Sequence, residues 1–142
     1  MRFLKVLPAG AVMITAVFAL GAPSAYAVGC VGESCYNKGP VSMGCTKDQR
    51  SIANSGWSLQ VYYSPACQAV WAIAFTDSSW DHCVSIDLER ARSDRIVQGR
   101  LTQELCPEEA SDWTNMFPKG WYFRAVYNDP VQDDFYTPWV FR

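Results

Sequence analysis

The sequence predicts an all-β fold: a small antiparallel barrel or sandwich, stapled by disulfides and containing at most one short helical turn. Three observations carry this prediction. Apolar and polar residues alternate over several short runs, as in strands with one buried face. Turn signals separate these runs closely, and six cysteines lie downstream of a short apolar leader. No internal repeat or low-complexity segment indicates a second domain.

The leader, residues 1–27, has the features of a removable signal peptide. It begins with Arg2 and Lys5, continues through the apolar stretch Gly10–Ala22 and ends with Ala25-Tyr26-Ala27, the small-x-small pattern that signal peptidase accepts. Its apolar run is shorter than the roughly 20 residues that a membrane-spanning helix needs. We therefore expect cleavage after Ala27 and a single secreted, disulfide-rich domain over residues 28–142, without a stable membrane anchor.

The cysteines indicate an oxidising compartment and a disulfide framework; they are Cys30, Cys35, Cys45, Cys67, Cys83 and Cys106. Each disulfide contributes roughly 2 to 4 kcal/mol to a small domain, and the sequence alone does not choose the pairing. An even set pairs completely, whereas lipidation of Cys30 would leave an odd thiol. The spacing of the first three cysteines matches no zinc pattern and His82 is the only histidine, so we expect neither a metal nor a cofactor.

The first elements follow from local patterns. The segment Cys30–Lys47 is rich in glycine and cysteine and predicts a loop. Alternation over Trp57–Tyr63 predicts a half-buried strand, which Ser64-Pro65 ends. Because a serine followed by proline also resembles a helix start, a short helical turn is expected over Pro65–Ala69. The run Ala69–Phe75 carries bulky residues at alternate positions and predicts the next strand.

A hairpin is predicted in the middle of the chain. Apolar residues of Val84–Glu89 alternate with polar ones, which predicts a strand whose acids, Asp87 and Glu89, lie on the solvent face. Ala91-Arg92-Ser93-Asp94 is then expected as the hairpin connection, and Ile96–Leu101 as the partner strand.

The C-terminal third predicts two further strands. The acidic stretch Pro107–Asp112 is helix-tolerant at best, whereas Gly120–Tyr127 predicts an aromatic strand ended by the turn signal Asn128-Asp129-Pro130. A last strand, Phe135–Phe141, contains Pro138. Because proline cannot donate to a sheet ladder, this strand is expected at a sheet edge.

The charge balance argues against nucleic acid as a partner. With 12 Lys and Arg against 14 Asp and Glu, the formal charge is -2, and the loss of Arg2 and Lys5 with the leader moves it to -4. The arginines between Arg90 and Arg100 are interleaved with acids rather than forming a basic stripe. We therefore expect no nucleic-acid binding.

The segment Tyr63-Ser64-Pro65-Ala66-Cys67, followed by Ala69-Val70-Trp71-Ala72, carries a family resemblance. Together with Cys30, Cys35 and the pair Gly44-Cys45, it resembles the secreted bacterial family called domain of unknown function 2690. The match covers roughly Gly29 to Phe75, and the later Tyr136-Thr137-Pro138-Trp139-Val140 is similar to a terminal strand motif. The resemblance implies an extracellular disulfide-rich domain and transfers no catalytic residue.

The resemblance also implies part of the disulfide pairing. If the four cysteines shared with the family satisfy one another, Cys83 and Cys106 remain as an additional pair. Cys83 opens one predicted strand and Cys106 follows its hairpin partner, so antiparallel pairing would bring them together.

The sequence contains two sets of residues that could act in catalysis, and neither is a convincing catalytic site. Trp80-Asp81-His82-Cys83 contains an acid, a histidine and a thiol, but adjacent residues rarely face one another and Cys83 is expected to be oxidised. His82 is therefore interpreted as a solvated turn residue. Paired carboxylates of a glycan hydrolase could come from an acidic cluster, which is interpreted more simply as a solvated face: Glu104, Glu108, Glu109 and Asp112. We expect that the protein is not an enzyme.

Aromatic residues are the stronger functional lead, since six tryptophans are many for one small domain. Trp71 is expected in the core, and the alternative is that all six pack there or cover its ends. Those in or beside polar segments, with one tyrosine, are the candidate binding residues: Trp80, Trp113, Trp139 and Tyr136.

These residues predict a secreted, non-catalytic interaction module that binds an extracellular protein, as a small subunit or adaptor of a secreted assembly. One alternative is a module that binds cell-wall glycan, which would need at least two coplanar exposed aromatic rings. A secreted hydrolase, or an inhibitor of one, is the less favoured alternative.

Overall fold

Two antiparallel β sheets pack face to face in the computed structural model, which describes residues 27–76 and 81–142. The described residues form ten strands: β1 (Arg50–Ser55), β2 (Leu59–Ser64), β3 (Ala69–Phe75), β4 (Val84–Ala91), β5 (Val97–Leu105), β6 (Ser111–Trp113), β7 (Phe117–Pro118), β8 (Tyr122–Asn128), β9 (Phe135–Tyr136) and β10 (Val140–Phe141). The predicted signal peptide, except for Ala27, and the candidate Trp80 lie outside the described residues.

The first sheet has the order β1-β2-β3-β6, with β7 also paired to β3. The second sheet has the order β10-β8-β4-β5, with β9 also paired to β8. In the described ranges, these sheets form a sandwich rather than a closed barrel. The predicted all-β antiparallel fold is confirmed.

The main core lies between the two sheets, where alternate residues of each strand meet. On β4, Val84, Ile86 and Leu88 face this core, as the period-two alternation predicts. Burial of one such aliphatic side chain contributes about 1.5–3 kcal/mol. The buried members of this core are Leu59, Val61, Val70, Ala72, Ala74, Val84, Ile86, Leu88, Leu105, Phe117, Phe123, Ala125 and Tyr127.

The N-terminal segment covers the outer face of the first sheet. It contains two short 3₁₀ turns, Gly32–Cys35 and Cys45–Asp48. Trp71 is buried beneath it, as predicted, and stacks on Tyr62 with ring centres 6.1 Å apart. The segment and the sheet share a second apolar cluster: Cys30, Cys35, Cys45, Cys67, Ala69, Trp71 and Met116.

The Ser-Pro-Ala-Cys segment forms a tight reverse turn between β2 and β3. The buried Ser64 hydroxyl donates to Asp48 Oδ1 at 2.5 Å and accepts from the Cys67 N–H at 3.0 Å. Asp48 Oδ2 accepts from the Ala66 N–H at 2.8 Å. Because these bonds satisfy the turn's amides and Gln68 closes it at a φ of 51°, a reverse turn replaces the helical turn predicted here.

Three disulfides link the described residues, and no cysteine there is free. Cys30 pairs with Cys35, and Cys45 pairs with Cys67, which ties the N-terminal segment to the β2–β3 turn. Cys83 pairs with Cys106, with Cα atoms 4.1 Å apart, at the open end of the β4–β5 hairpin. This last pair is the one that the family resemblance implies.

Most predicted strands agree with the structure. The run Ala69–Phe75 is β3, the predicted central hairpin is β4 with β5, and the proline-containing C-terminal strand appears as β9 and β10 at the edge beside β8. The sequence did not predict β1, β6 or β7. The short β6 begins inside the acidic stretch Pro107–Asp112, which was predicted to be helix-tolerant at best, and it pairs with β3.

The acids of β4 do not lie on a solvent face, and that prediction is wrong. Asp87 is 3% exposed and Glu89 is 2% exposed, although the strand alternation places both on the outer side of the second sheet. Since β4 is a central strand, long side chains from both neighbours cover the carboxylates. Arg100 of β5 and Arg124 of β8 stand directly opposite Glu89.

Candidate functional site

Two buried carboxylates form the centre of the outer face of the second sheet. Glu89 accepts hydrogen bonds from Arg100 Nη2 at 2.5 Å and from Arg124 Nε at 2.7 Å. Asp87 accepts one from the Thr102 hydroxyl at 2.5 Å and lies 3.3 Å from Arg100 Nη1. A buried carboxylate is tolerated only when it is paired and hydrogen-bonded. The two acids therefore fix the positions of the two arginines above them.

Arg124 connects these carboxylates to a group of aromatic rings. Its guanidinium carbon lies 5.2 Å from the ring centre of Tyr136 and 4.8 Å from that of Trp139. A second arginine, Arg95, stacks over Tyr122 at 3.4 Å. We call this surface the arginine–aromatic face, and its residues are Arg95, Tyr122, Arg124, Tyr136, Trp139 and Phe141.

The arginine–aromatic face is open to solvent yet held in place. Tyr136 is 59% exposed and Phe141 is 53% exposed. Phe141 contacts Tyr122 with ring centres 5.1 Å apart and planes tilted by 57°. Each cation–π contact contributes about 0.5–1 kcal/mol at an exposed site, so the contacts favour the observed ring positions.

Thr137 explains why Tyr136 and Trp139 reach the same face. Its side-chain oxygen accepts from the Ala125 N–H at 3.0 Å, and its own N–H donates to the Ala125 carbonyl at 3.0 Å. These bonds hold the residues between β9 and β10 against β8. Pro138, which has no N–H, lies exposed at this interruption, and the edge position predicted from it is confirmed.

The structure separates the predicted aromatic candidates. It brings Tyr136 and Trp139 together, whereas Trp113 lies half-buried at the edge of the first sheet, packed against the cysteine-rich cluster. Trp113 therefore covers apolar surface on the opposite side of the sandwich. Trp57, which is 62% exposed in the β1–β2 turn, is not part of the arginine–aromatic face either.

Sequence reasoning missed Tyr122, Phe141 and the arginines of this face. The alternation in the predicted strand Gly120–Tyr127 places residues 122 and 124 on one side, which was a usable signal. What the pattern does not contain is the pairing of β8 with both β9 and β10. That register sets Val126 opposite Tyr136.

His82 is clamped between two carboxylates. Its Nδ1 lies 2.9 Å from Asp81 and its Nε2 lies 3.0 Å from Asp129. The hydrogen bonds to Asp81 and then to Asp129 raise the pKa of His82, and the bond from His82 lowers the pKa of Asp81. Burial disfavours the charge of Asp129, but hydrogen bonds from Val131 N–H and His82 hold its pKa below the ordinary value.

This clamp changes the interpretation of His82. The residue is not a solvated turn histidine, because Asp129 from the loop after β8 covers it and leaves its side chain 24% exposed. With both ring nitrogens paired to carboxylates, the imidazole has no nitrogen left for a nucleophile, and the neighbouring Cys83 is oxidised. The pairing joins two loops and gives no catalytic dyad.

The other titratable clusters are also used structurally. Glu109 accepts from the Cys106 N–H at 3.2 Å, and Asp112 accepts from the Gln103 amide at 2.7 Å and the Trp113 N–H at 2.8 Å. The sulfur atoms of Cys30, Cys35, Cys45 and Cys67 lie within 4.8 Å of one another. All four are oxidised, so they offer no thiolate to a metal.

The fold and this surface define a class: a disulfide-bonded antiparallel β sandwich that presents arginines and aromatic rings at a sheet edge. No protein-family model, curated protein or solved structure matches the chain. Within the described residues, no helix has the length and apolar character to cross a membrane. The three disulfides indicate an oxidising environment.

Proposed function

We propose that the protein is a secreted, non-catalytic interaction module that binds another extracellular protein through the arginine–aromatic face, as a small subunit or adaptor of a secreted assembly. The observation that carries the proposal is the position of Arg124, whose guanidinium is hydrogen-bonded to the buried Glu89 and contacts the rings of both Tyr136 and Trp139. The signal-like leader and the three disulfides support secretion.

The composition of the face suits a protein partner. Tyrosine, tryptophan and arginine dominate the energetics of protein interfaces: the two aromatic residues bury large, rigid surfaces, and arginine adds several charged hydrogen-bond donors. Here cation–π contacts favour the observed ring positions, which lowers the cost of binding. The neighbouring edge strands β9 and β10 are short and interrupted, so recognition rests on side chains rather than on an added strand.

A glycan-binding module is the second candidate, and the geometry favours it less. Sugar rings stack on coplanar aromatic platforms, whereas the planes of Tyr122 and Phe141 are tilted by 57°. Tyr136 and Trp139 both contact the guanidinium of Arg124, so one face of each ring carries a cation rather than an open surface for a sugar. A protein partner, which meets such a surface with mixed side chains, fits better.

A pull-down from culture supernatant tests the proposal. The immobilised protein should retain one protein at a stoichiometric ratio, and the double variant Tyr136→Ala/Trp139→Ala should lose it. Trp57→Ala, which removes an exposed tryptophan elsewhere, is the matched control and should retain the partner. A buried aromatic anchor contributes about 2 kcal/mol or more, so binding should weaken at least about thirtyfold.

Other outcomes would point to the alternatives. Retention on insoluble cell wall, lost in the same double variant, would support a glycan-binding module. Turnover of a glycan substrate that is lost in Glu108→Gln would support a hydrolase. Equal retention of the partner by wild type and by the double variant would exclude the arginine–aromatic face as its binding surface.

A further inference from the structure

A cleft opens next to the arginine–aromatic face, at the end of the second sheet. It encloses about 360 Å³, and Trp121, Tyr122 and Phe141 supply its aromatic lining. Arg92 and Ser93, from the connection between β4 and β5, also line it. Its volume lies within the usual range for ligand sites and is sufficient for one or two side chains of a partner. We call it the Trp121 cleft.

Two arginines lie against the tryptophan of this cleft. The guanidinium carbons of Arg90 and Arg92 are 4.7 Å and 5.8 Å from the Trp121 ring centre. Arg90 also lies 4.6 Å from the ring centre of Phe117. Its Nε is buried and has no hydrogen-bond partner among the described residues.

Neither of these arginines has a carboxylate partner in the described part of the chain. The arginine ion pairs found there involve Arg100 and Arg124, which neutralise the acids of β4. Asp94, two residues after Arg92, accepts a hydrogen bond from the Ile96 N–H at 3.0 Å. The Trp121 cleft is therefore a locally cationic, aromatic site on a chain that is acidic overall.

We propose that the Trp121 cleft binds an acidic side chain, Asp or Glu, of the partner protein, with a neighbouring apolar side chain packed on the aromatic lining. This inference rests on the proposed function, because it names the chemistry that the partner presents beside the arginine–aromatic face. A carboxylate fits the planar donor edge of a guanidinium with two parallel hydrogen bonds. Arg92 at the cleft supplies that edge, while Arg90 adds a second positive charge behind Trp121.

Matched peptides test this chemistry without knowledge of the natural partner. The probes are Ac-Ala-Glu-Phe-Glu-Ala-NH₂ and the same peptide with both Glu replaced by Gln, each titrated into the full-length protein with its disulfides intact. NMR follows the indole N–H of Trp121, assigned with Trp121→Phe, and the backbone N–H of Tyr122. The Glu peptide should shift both signals and bind about tenfold more tightly than the Gln peptide, because its hydrogen bonds are charge-assisted.

Variants then assign the effect to the cleft. Arg92→Gln, at an exposed position, should reduce the preference for the Glu peptide to less than about twofold. Arg50→Gln, an exposed arginine of β1 on the other sheet, is the matched control and should leave the preference unchanged. Raising the salt to about 0.5 M should weaken binding of the Glu peptide and leave the Gln peptide nearly unaffected.

The outcomes separate this inference from the proposed function. Equal binding of the two peptides, or a preference that Arg92→Gln leaves intact, overturns the inference. If the pull-down partner is lost in Tyr136→Ala/Trp139→Ala but retained in Arg92→Gln, the proposed function stands and the cleft proposal fails. If an oligonucleotide of matched charge competes with the Glu peptide and binds more tightly, the cleft is a general anion site and the proposal also fails.

Discussion

Replacement of Glu89 tests whether the buried carboxylates support the fold and the arginine–aromatic face above them. Glu89→Gln keeps the shape but offers an amide nitrogen, itself a donor, to one of the two arginines. A hydrogen bond to a charged group contributes about 1.5–3 kcal/mol, and Glu89 accepts one from each arginine. Because Arg100 is 54% exposed and Arg124 is 27% exposed, water replaces part of what is lost. We therefore expect a loss of about 2–3 kcal/mol, below the roughly 3–5 kcal/mol of a fully buried pair.

Thermal unfolding with the disulfides intact measures this loss through tryptophan fluorescence. At about 4 °C per kcal/mol for a domain of this size, Tm should fall by about 8–12 °C. Glu104→Gln makes the same chemical change at an exposed position of β5 and should shift Tm by less than about 2 °C. A Tm of Glu89→Gln that matches this control would refute the reasoning, because the acid would then be contributing no more than a solvated one.

The contribution of His82 to the stability of the fold should decrease as the pH rises. Since its folded pKa is raised, the stability it contributes is fully present below its ordinary pKa of 6.5 and is lost as the pH rises through the folded value. The Tm difference between wild type and His82→Gln should therefore shrink from weakly acidic to alkaline pH, and a difference that grows would contradict the clamp. Replacing Cys83 and Cys106 by Ala should cost about 3 kcal/mol in urea unfolding, against about 2 kcal/mol for the Cys30–Cys35 pair, since the sequence separations are 23 and 5 residues. The reverse order would show that packing rather than loop entropy dominates.

Strands could be predicted from the sequence wherever one residue pattern decides the structure. The alternation in Val84–Glu89 separates the two faces of β4 because successive side chains in a strand point to opposite sides. The same pattern does not show whether the outer face of β4 is exposed to solvent, because that depends on the side chains of the neighbouring strands. Glu89 is buried because β4 is central and Arg100 and Arg124 stand beside it, which is a property of the sheet order.

The candidate site, too, could be predicted from the sequence only in part. Trp113 and Trp139 both stand beside polar residues, so both were equally good binding candidates in the sequence. Their roles differ because β6 pairs with β3 in the first sheet, under the N-terminal segment, whereas the residue before β10 reaches Arg124 in the second. The Ser-Pro-Ala-Cys segment forms the turn that Asp48 holds through hydrogen bonds to Ser64 and Ala66. That motif accounts for architecture and carries no information about a partner.

The chain carries a net negative charge, but the surface that we propose for the partner is positively charged. The two differ because two acids of this sheet are buried. Asp87 and Glu89 contribute to the net negative charge, yet they lie beneath Arg100 and Arg124. A partner that approaches from a distance encounters a weakly acidic protein, and screening limits even that effect to about 8 Å at physiological salt. At contact it meets guanidinium groups and aromatic rings instead. Variants of these arginines should therefore change the dissociation rate of a complex far more than its association rate.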